Sequence, residues 1–414
     1  EVTAASAEGL ATLLPGDWPD RTALATQPAA LRITGGGAAD AVALRAEADL
    51  GELRVEANGT LDWHNRRGAG SLTLRHPGAP RFLTQAMGLR GLEWLGEGSL
   101  SMVATLAASR AGVAAEHFDL VVAGLRAQGQ MALALDAARP RLSGRILAER
   151  LPLPEWRAHR TEPLGLERLG AFNADLAVEA ARLELPGALV LEEAAAALHL
   201  EAGRLRLDGL RARLGGGLLE GAVMVEGDAS PPRVAAELRL TDATIGGPLF
   251  GMPIDLTAGR AGGEARLAAA GHSPAALLAT LGGELRLDLR SGVLVGFDLG
   301  ALGTVAEGDA AADEAALRAA LVGGATAFDR LDIAARLSEG RATIEEGRLV
   351  GEGGVAATAT GEIDLVRGTL DLRIAARPPQ GDAPDIVLRL TGAIADPRRL
   401  PETAAWLRWR AERG

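Results

Sequence analysis

The residues best equipped for chemistry are six histidines, His64, His76, His117, His159, His199 and His272, and they are scattered singly through 414 residues. Only His272 stands beside a nucleophile, Ser273. A hydrolytic role for that pair would need a positioned acid and an oxyanion site. Ser273, followed by Pro274 and an apolar run, reads more simply as a helix N-cap. The adjacent carboxylates Glu192-Glu193 and Glu345-Glu346 would point to opposite faces of a strand and could not converge on one reacting atom. Asp396-Pro397 reads as a turn that closes the sheet region, because proline cannot donate to a ladder. Glycine-rich nucleotide loops, H-E-x-x-H and G-x-S-x-G are all missing from the sequence. The expectation is a non-enzymatic chain with no catalytic residue, no metal and no cofactor.

Composition narrows the partners. The chain is 48% hydrophobic but only 3% aromatic, with no Tyr, so its apolar surface must be built from Leu, Val, Ile and Ala. A net charge of −11 argues against nucleic acid, which needs a concentrated basic surface. With no Cys, disulfides and thiolate metal sites are excluded. No run of about eighteen apolar residues is present to form a membrane-spanning helix. The chain starts at Glu1 without a signal-peptide pattern, so any membrane anchor or targeting segment is expected upstream.

The elements that would position these residues are mostly strands. Gly262 to Leu299 reads as a strand, a short helix and two further strands. Leu285, Leu287 and Leu289 alternate with Arg286 and Asp288, which makes one face apolar and the other wet. A turn at Arg290-Ser291-Gly292 would set Leu289, Leu287 and Leu285 opposite Val293, Val295 and Phe297. Similar matching pairs Val55 with Leu61 around Asn58-Gly59, and Asn58-Gly59-Thr60 is also a formal glycosylation sequon. It further pairs Leu337 with Ala342 around Glu339-Gly340, and Leu365 with Leu370 around Arg367-Gly368. Consecutive antiparallel strands, a meander, are therefore expected.

Residues 81–96 read as a short helix and a connection, and helices are expected near residues 274–281, 313–322 and 401–413. Leu277, Leu278 and Leu281 give the 274–281 helix an apolar stripe, and Leu317 and Leu321 do the same for the 313–322 helix. The terminal helix carries Trp406 and Trp409 among arginines, which suits either a plug for the sheet end or a helix lying at a membrane interface. Glu192 to Leu200 alternates like its neighbours and reads as strand. The proline-rich segment Leu151 to Pro163 reads as a joint, giving an N-terminal β region, residues 1–155, and a second region, residues 156–414. The fold class is all-β with a few short helices.

The order of several weak motifs resembles the C-terminal region of the AsmA-like family of bacterial envelope proteins. They are L-x-L-x-G-L-x-A-x-L-G-G-G (Leu205 to Gly217), G-H-S-P-A-A-L-L-A-T-L-G-G (Gly271 to Gly283) and S-G-V-L-V-G-F-D-L (Ser291 to Leu299). The tail follows with A-T-A-F-D-R-L (Ala325 to Leu331), E-G-R-L (Glu346 to Leu349), T-G-E-I-D-L (Thr360 to Leu365) and T-G-A-I-A-D-P (Thr391 to Pro397). The resemblance implies a long antiparallel sheet folded into an aliphatic-lined groove, the β-taco. It also implies a periplasmic location, anchorage to the inner membrane by a segment absent from this chain, and a part in phospholipid transport and outer-membrane integrity. It brings no catalytic residues.

On that reading the partners are phospholipid acyl chains and, as an added contact, an envelope protein. The lipid-facing candidates are Leu267, Leu285, Leu287, Leu289, Val293, Val295, Phe297, Leu337, Ile363, Leu365, Leu370 and Leu372. Each buried methylene contributes about 0.8 kcal/mol, so an acyl chain of about sixteen carbons could gain up to roughly 10 kcal/mol before ordering costs. The alternative is a scaffold for outer-membrane biogenesis whose sheet closes on a dry core.

Overall fold

A computed structural model describes residues 2–4, 27–87, 95–136, 138–155, 157–186, 189–248, 252, 254–301, 310–352, 355–377 and 383–412. The chain is mostly β, 66% strand and 11% helix. By its contacts it divides into two compact units, residues 1–156 with 167–210, and residues 157–166 with 211–414.

The first part of the chain contains β1 (Val2–Ala4), β2 (Ala29–Ala38), β3 (Ala41–Leu50), β4 (Leu53–Asp62), β5 (Arg67–His76) and helix α1 (Ala79–Met87). It continues with β6 (Leu100–Ser109), β7 (Gly112–Val122), β8 (Leu125–Ala134), β9 (Arg141–Pro152), β10 (Asn173–Leu185), β11 (Leu189–Glu201) and β12 (Arg204–Leu214). From β1 to β9 each strand pairs antiparallel with the next. The meander is then interrupted, because β10 lies parallel to β9. Parallel neighbours need a long return connection, and the proline-rich segment, with a 3-10 turn at Leu166–Ala171, supplies it. Glu192 to Leu200 lies in β11, a strand as expected.

The second part contains β13 (Gly217–Glu226), β14 (Arg233–Thr244), β15 (Gly247–Pro248), β16 (Asp255–Ala270), α2 (Pro274–Ala279), β17 (Gly282–Val295) and α3 (Ala310–Val322). Then come β18 (Ala325–Ser338), β19 (Arg341–Gly351), β20 (Ala356–Asp364), β21 (Thr369–Arg377), β22 (Ile386–Ala393), β23 (Asp396–Glu402) and α4 (Ala404–Ala411). β14 pairs with β16, the short β15 adds to β16, and from β16 to β23 every strand pairs antiparallel with its successor. The result is an open, curled antiparallel sheet.

Four turn expectations meet different fates. Leu337 pairs with Ala342 as expected, with Glu339 and Gly340 both at positive φ, 51° and 70°. The second turn exists but is longer: Ile363, not Leu365, faces Leu370, and residues 365–368 make the turn. Asn58-Gly59 is no turn at all. It lies inside β4, opposite Ser71 and Gly70, and the chain reverses at Gly51-Glu52 and at Trp63–Arg66 instead.

Arg290-Ser291-Gly292 is likewise no turn. Ser291, at φ 49°, makes a bulge through which β17 continues. A bulge and a hairpin use the same positive-φ residue. Here the long partners β16 and β18 offer hydrogen bonds on both edges, and continuing the strand collects them. Asp396-Pro397 does not close the sheet; it opens one more strand, β23. Pro397 and Pro401 are tolerated because β23 is an edge strand.

The helices fall near their expected places. α1 covers the first part of its segment; residues 88–94 lie outside the described residues. Ser273 caps α2, its Oγ accepting from the Ala276 N–H at 3.3 Å. α3 begins earlier than expected and buries Leu317 and Leu321. α4 is shorter than expected, because Pro401 and Glu402 belong to β23.

Candidate functional site

Pleating sends alternate residues of every strand to one face, and the register aligns those residues across the second unit. One row runs Leu267, Gly283, Leu337, Ala342, Ile363, Leu370 from β16 to β21. The next runs Leu238, Ala265, Leu285, Ala335, Ile344, Gly361, Leu372, Leu390 from β14 to β22. A third runs Leu240, Gly263, Leu287, Ile333, Gly347, Ala359, Ile374, Leu388. The fourth runs Ala261, Leu289, Leu331, Leu349, Ala357, Ala376, Ile386.

Across the eight strands from β14 to β22 this is a continuous aliphatic face about 34 Å wide, at about 4.8 Å per strand spacing. Bulky residues alternate with Gly and Ala along the rows, which leaves room for the face to curl. At Gly361 (φ 136°) an added Cβ would sit 2.2 Å from the Asp371 carbonyl oxygen, so no other residue fits this backbone path.

The two ends of the rows differ in burial. The fourth row is packed beneath α3 and α4, with Leu317, Leu321, Phe297, Leu299 and Trp406 in the same cluster. Thr326 holds that end together: its buried hydroxyl donates to the Phe297 carbonyl at 2.7 Å and accepts from the Leu299 N–H at 3.0 Å. Arg399 donates to the Val322 carbonyl at 2.9 Å, closing the C-terminus of α3. Away from this plug, Leu238, Leu240, Leu267, Leu285, Leu287, Ile333, Leu337 and Ile344 are only half-buried. A half-exposed aliphatic surface of this extent is what a groove for an apolar ligand presents.

Of the sequence candidates, Leu267, Leu285, Leu287, Leu289, Leu337, Ile363, Leu370 and Leu372 share this face. Leu365 lies just beyond it, in the turn, against the same cluster. Phe297 is in the plug. The bulge at Ser291 changes which side faces inward: Leu294 is buried, Val293 is half-buried and Val295 is 40% exposed. Val293 and Val295 therefore do not extend the Leu285–Leu289 face. Sequence reading left out Leu238, Leu240, Ile333, Ile344, Ile374, Leu388 and Leu390, although the same alternation marks each of them.

The other face carries charge in pairs. Arg239 pairs with Glu264, Arg330 with Asp332 and Asp288, Arg336 with Glu345, and Arg389 with Asp371. In the first unit the parallel β9–β10 ladder puts Arg141, Arg145 and Arg150 against Asp175, Glu179 and Glu184. A hollow of about 760 Å³ in the second unit has four arginines and four carboxylates in its lining, which balance one another, beside Leu240, Leu287 and Ile333.

These pairs leave a signature in acid. The His199 hydrogen bond, helped by Arg141, holds the Asp175 carboxyl below its ordinary range; Arg150 does so for Glu184 and Arg389 for Asp371. A depressed carboxyl pKa contributes stability that is present above the unfolded-state value and lost as pH falls through the folded one. The thermal midpoint is thus expected to hold from pH 7 to 5 and to fall below about pH 4. Arg389→Gln should shallow that fall, and each pair's contribution should be small, since these groups face water. An unchanged acid slope in the variant would contradict the assignment.

The candidates for chemistry do not assemble. Ser273 is engaged as a cap, and its neighbour His272 is exposed. Glu345 and Glu346 are both exposed at a bulge, and Glu345 is paired with Arg336. Among the described residues no group of three His, Asp or Glu side chains is placed to hold a metal. No described helix is long and apolar enough to cross a membrane. As for α4, Trp406 is buried in the plug and Trp409 packs against it, with Arg410 5.4 Å above the Trp406 ring. The structure uses this helix as a plug.

An open antiparallel sheet with one aliphatic and one ion-paired face is the class of protein defined by this geometry. Over residues 155–346 the chain matches the model of the AsmA family, and across those residues it is AsmA-like. That family is associated with the bacterial envelope. Neither a curated protein nor a solved structure gives a significant match.

Proposed function

We propose that this chain is a non-enzymatic envelope protein that holds phospholipid acyl chains along the aliphatic face of its curled sheet and lets them move between the two membranes. The observation that carries the reading is the unbroken set of Leu, Ile, Ala and Gly rows from β14 to β22, whose first three rows are mostly half-exposed from β14 to β19. Such a lining has no polar group to stop a chain from sliding, and each buried methylene contributes about 0.8 kcal/mol. The family likeness supports an envelope setting; a periplasmic location, an inner-membrane anchor outside this chain and an envelope protein partner complete the proposal. Mass spectrometry of gently extracted protein is expected to find phospholipid near or above one molecule per chain. Protein that is folded and free of lipid would count against the reading.

A second reading rests on the β21–β22 side of the face. Leu370, Leu372, Leu388 and Leu390 are all buried, as they would be in a scaffold closed on a dry core. Lipid-free but fully functional protein would favour it.

A further inference from the structure

In the first unit, the turns after β2, β4, β6 and β8 all emerge at one end of the sheet, because the intervening strands alternate in direction. The opposite end is closed by α1, where Phe82 packs with Leu53, Leu95, Leu100 and Val122. The end without the helix is different. There the apolar face runs through Leu61, Gly68, Ala108, Val113 and Leu133, and two residues further on it reaches Trp63 and Leu135. Their backbone N–H groups continue the ladder, donating to Ala39 and Ala111 carbonyls at 2.9 and 2.8 Å. Their side chains are 71% and 54% exposed. Trp63 is the most exposed large apolar side chain among the described residues.

Charge accompanies them. Arg66, Arg67, Arg110 and Arg139 sit on or beside the same turns, all exposed. None has a carboxylate partner among the described residues, in contrast to the paired arginines of the sheet. Asp40, Asp62 and Asp136 share these turns, but Asp62 is engaged by Asn65, whose N–H donates to it at 2.9 Å. In a chain of net charge −11, general adsorption to an anionic surface is opposed, and only such a rim would be drawn to one. Exposed Trp and Leu beside unpaired arginines match the depth profile of a bilayer interface, with the ring at the headgroup level and guanidinium groups on phosphates.

We propose that this rim docks on a bilayer containing anionic phospholipid and lets acyl chains reach the apolar face of the first unit, the one that runs through Leu61, Val113 and Leu133. The proposal rests on the lipid-handling reading and names a part of the first unit that meets the membrane. The test is flotation of the full chain with vesicles of phosphatidylethanolamine and phosphatidylglycerol, against vesicles of phosphatidylcholine alone.

The chain is expected to float with the anionic vesicles, and Trp63→Ala with Leu135→Ser to reduce flotation about tenfold or more. Replacing Arg66, Arg67, Arg110 and Arg139 with Gln should do the same, as should raised salt for the wild type. Wild-type flotation at background, equal flotation with neutral vesicles, or variants that float like the wild type would each overturn the proposal. These exposed positions should leave the thermal midpoint unchanged. Phospholipid carried through purification, measured on the same samples, separates the two ideas. Variants that keep their lipid but no longer float support the rim, whereas a wild type without lipid contradicts the underlying reading.

Discussion

Leu287→Asp is expected to lower the phospholipid retained by the purified chain at least about tenfold, because a carboxylate in the middle of the aliphatic rows costs several kcal/mol to cover with an acyl chain. Leu287 lies between Gly263 and Ile333, with the side-chain-free Gly263 leaving room on one side and half-exposure that lets an aspartate stay hydrated in the lipid-free state. The substitution should therefore act on the ligand more than on the fold. Arg286→Ser, one residue away and on the charged face, is the control, and its lipid content should match the wild type. If Leu287→Asp keeps its melting temperature and its full lipid content, the face is not where lipid sits.

Trp406→Ala is expected to have the largest effect on stability, about 3–5 kcal/mol. Trp406 is 2% exposed and fills the plug with Leu317 and Leu321, so its loss leaves a cavity that short helices cannot close. Differential scanning should show a midpoint roughly 10 °C lower for the transition that includes the second unit. Trp406→Phe should cost much less, since it keeps a ring in place and gives up only an indole N–H that has no hydrogen-bond partner. A midpoint unchanged in Trp406→Ala would mean that α4 does not close the sheet end.

How much of this was legible in the sequence depended on whether the information was local. The alternation of Leu285, Leu287 and Leu289 shows which residues share a face, because pleating has a fixed period of two. Ser273 before Pro274 announces its cap for the same local reason. Turns were less legible. Glu339-Gly340, Ser291-Gly292 and Asn58-Gly59 carry similar signals, yet only the first reverses the chain. What separates them is the length of the strands lying alongside, which a local reading does not contain.

Register has the same limit. Arg141, Arg145 and Arg150 meet Asp175, Glu179 and Glu184 only because β9 and β10 run parallel across a twenty-residue connection. Val293 and Val295 were misplaced because a single bulged residue turns every later side chain to the other side. The rim at Trp63 was hidden for a related reason: reading Asn58-Gly59 as the turn placed Trp63 within a strand, where it would not have stood exposed at the sheet end.

Whether lipid lies on the aliphatic face can be read by placing a photoactivatable crosslinking residue at single positions of the full chain in cells. Positions Leu240, Leu287 and Ile333 lie on the apolar rows, and Arg239, Arg286 and Ala334 are their neighbours on the charged face. Phospholipid adducts are expected at the first three and none above background at the others. Adducts of equal yield on both faces, or none at Leu240, Leu287 and Ile333, would contradict that placement.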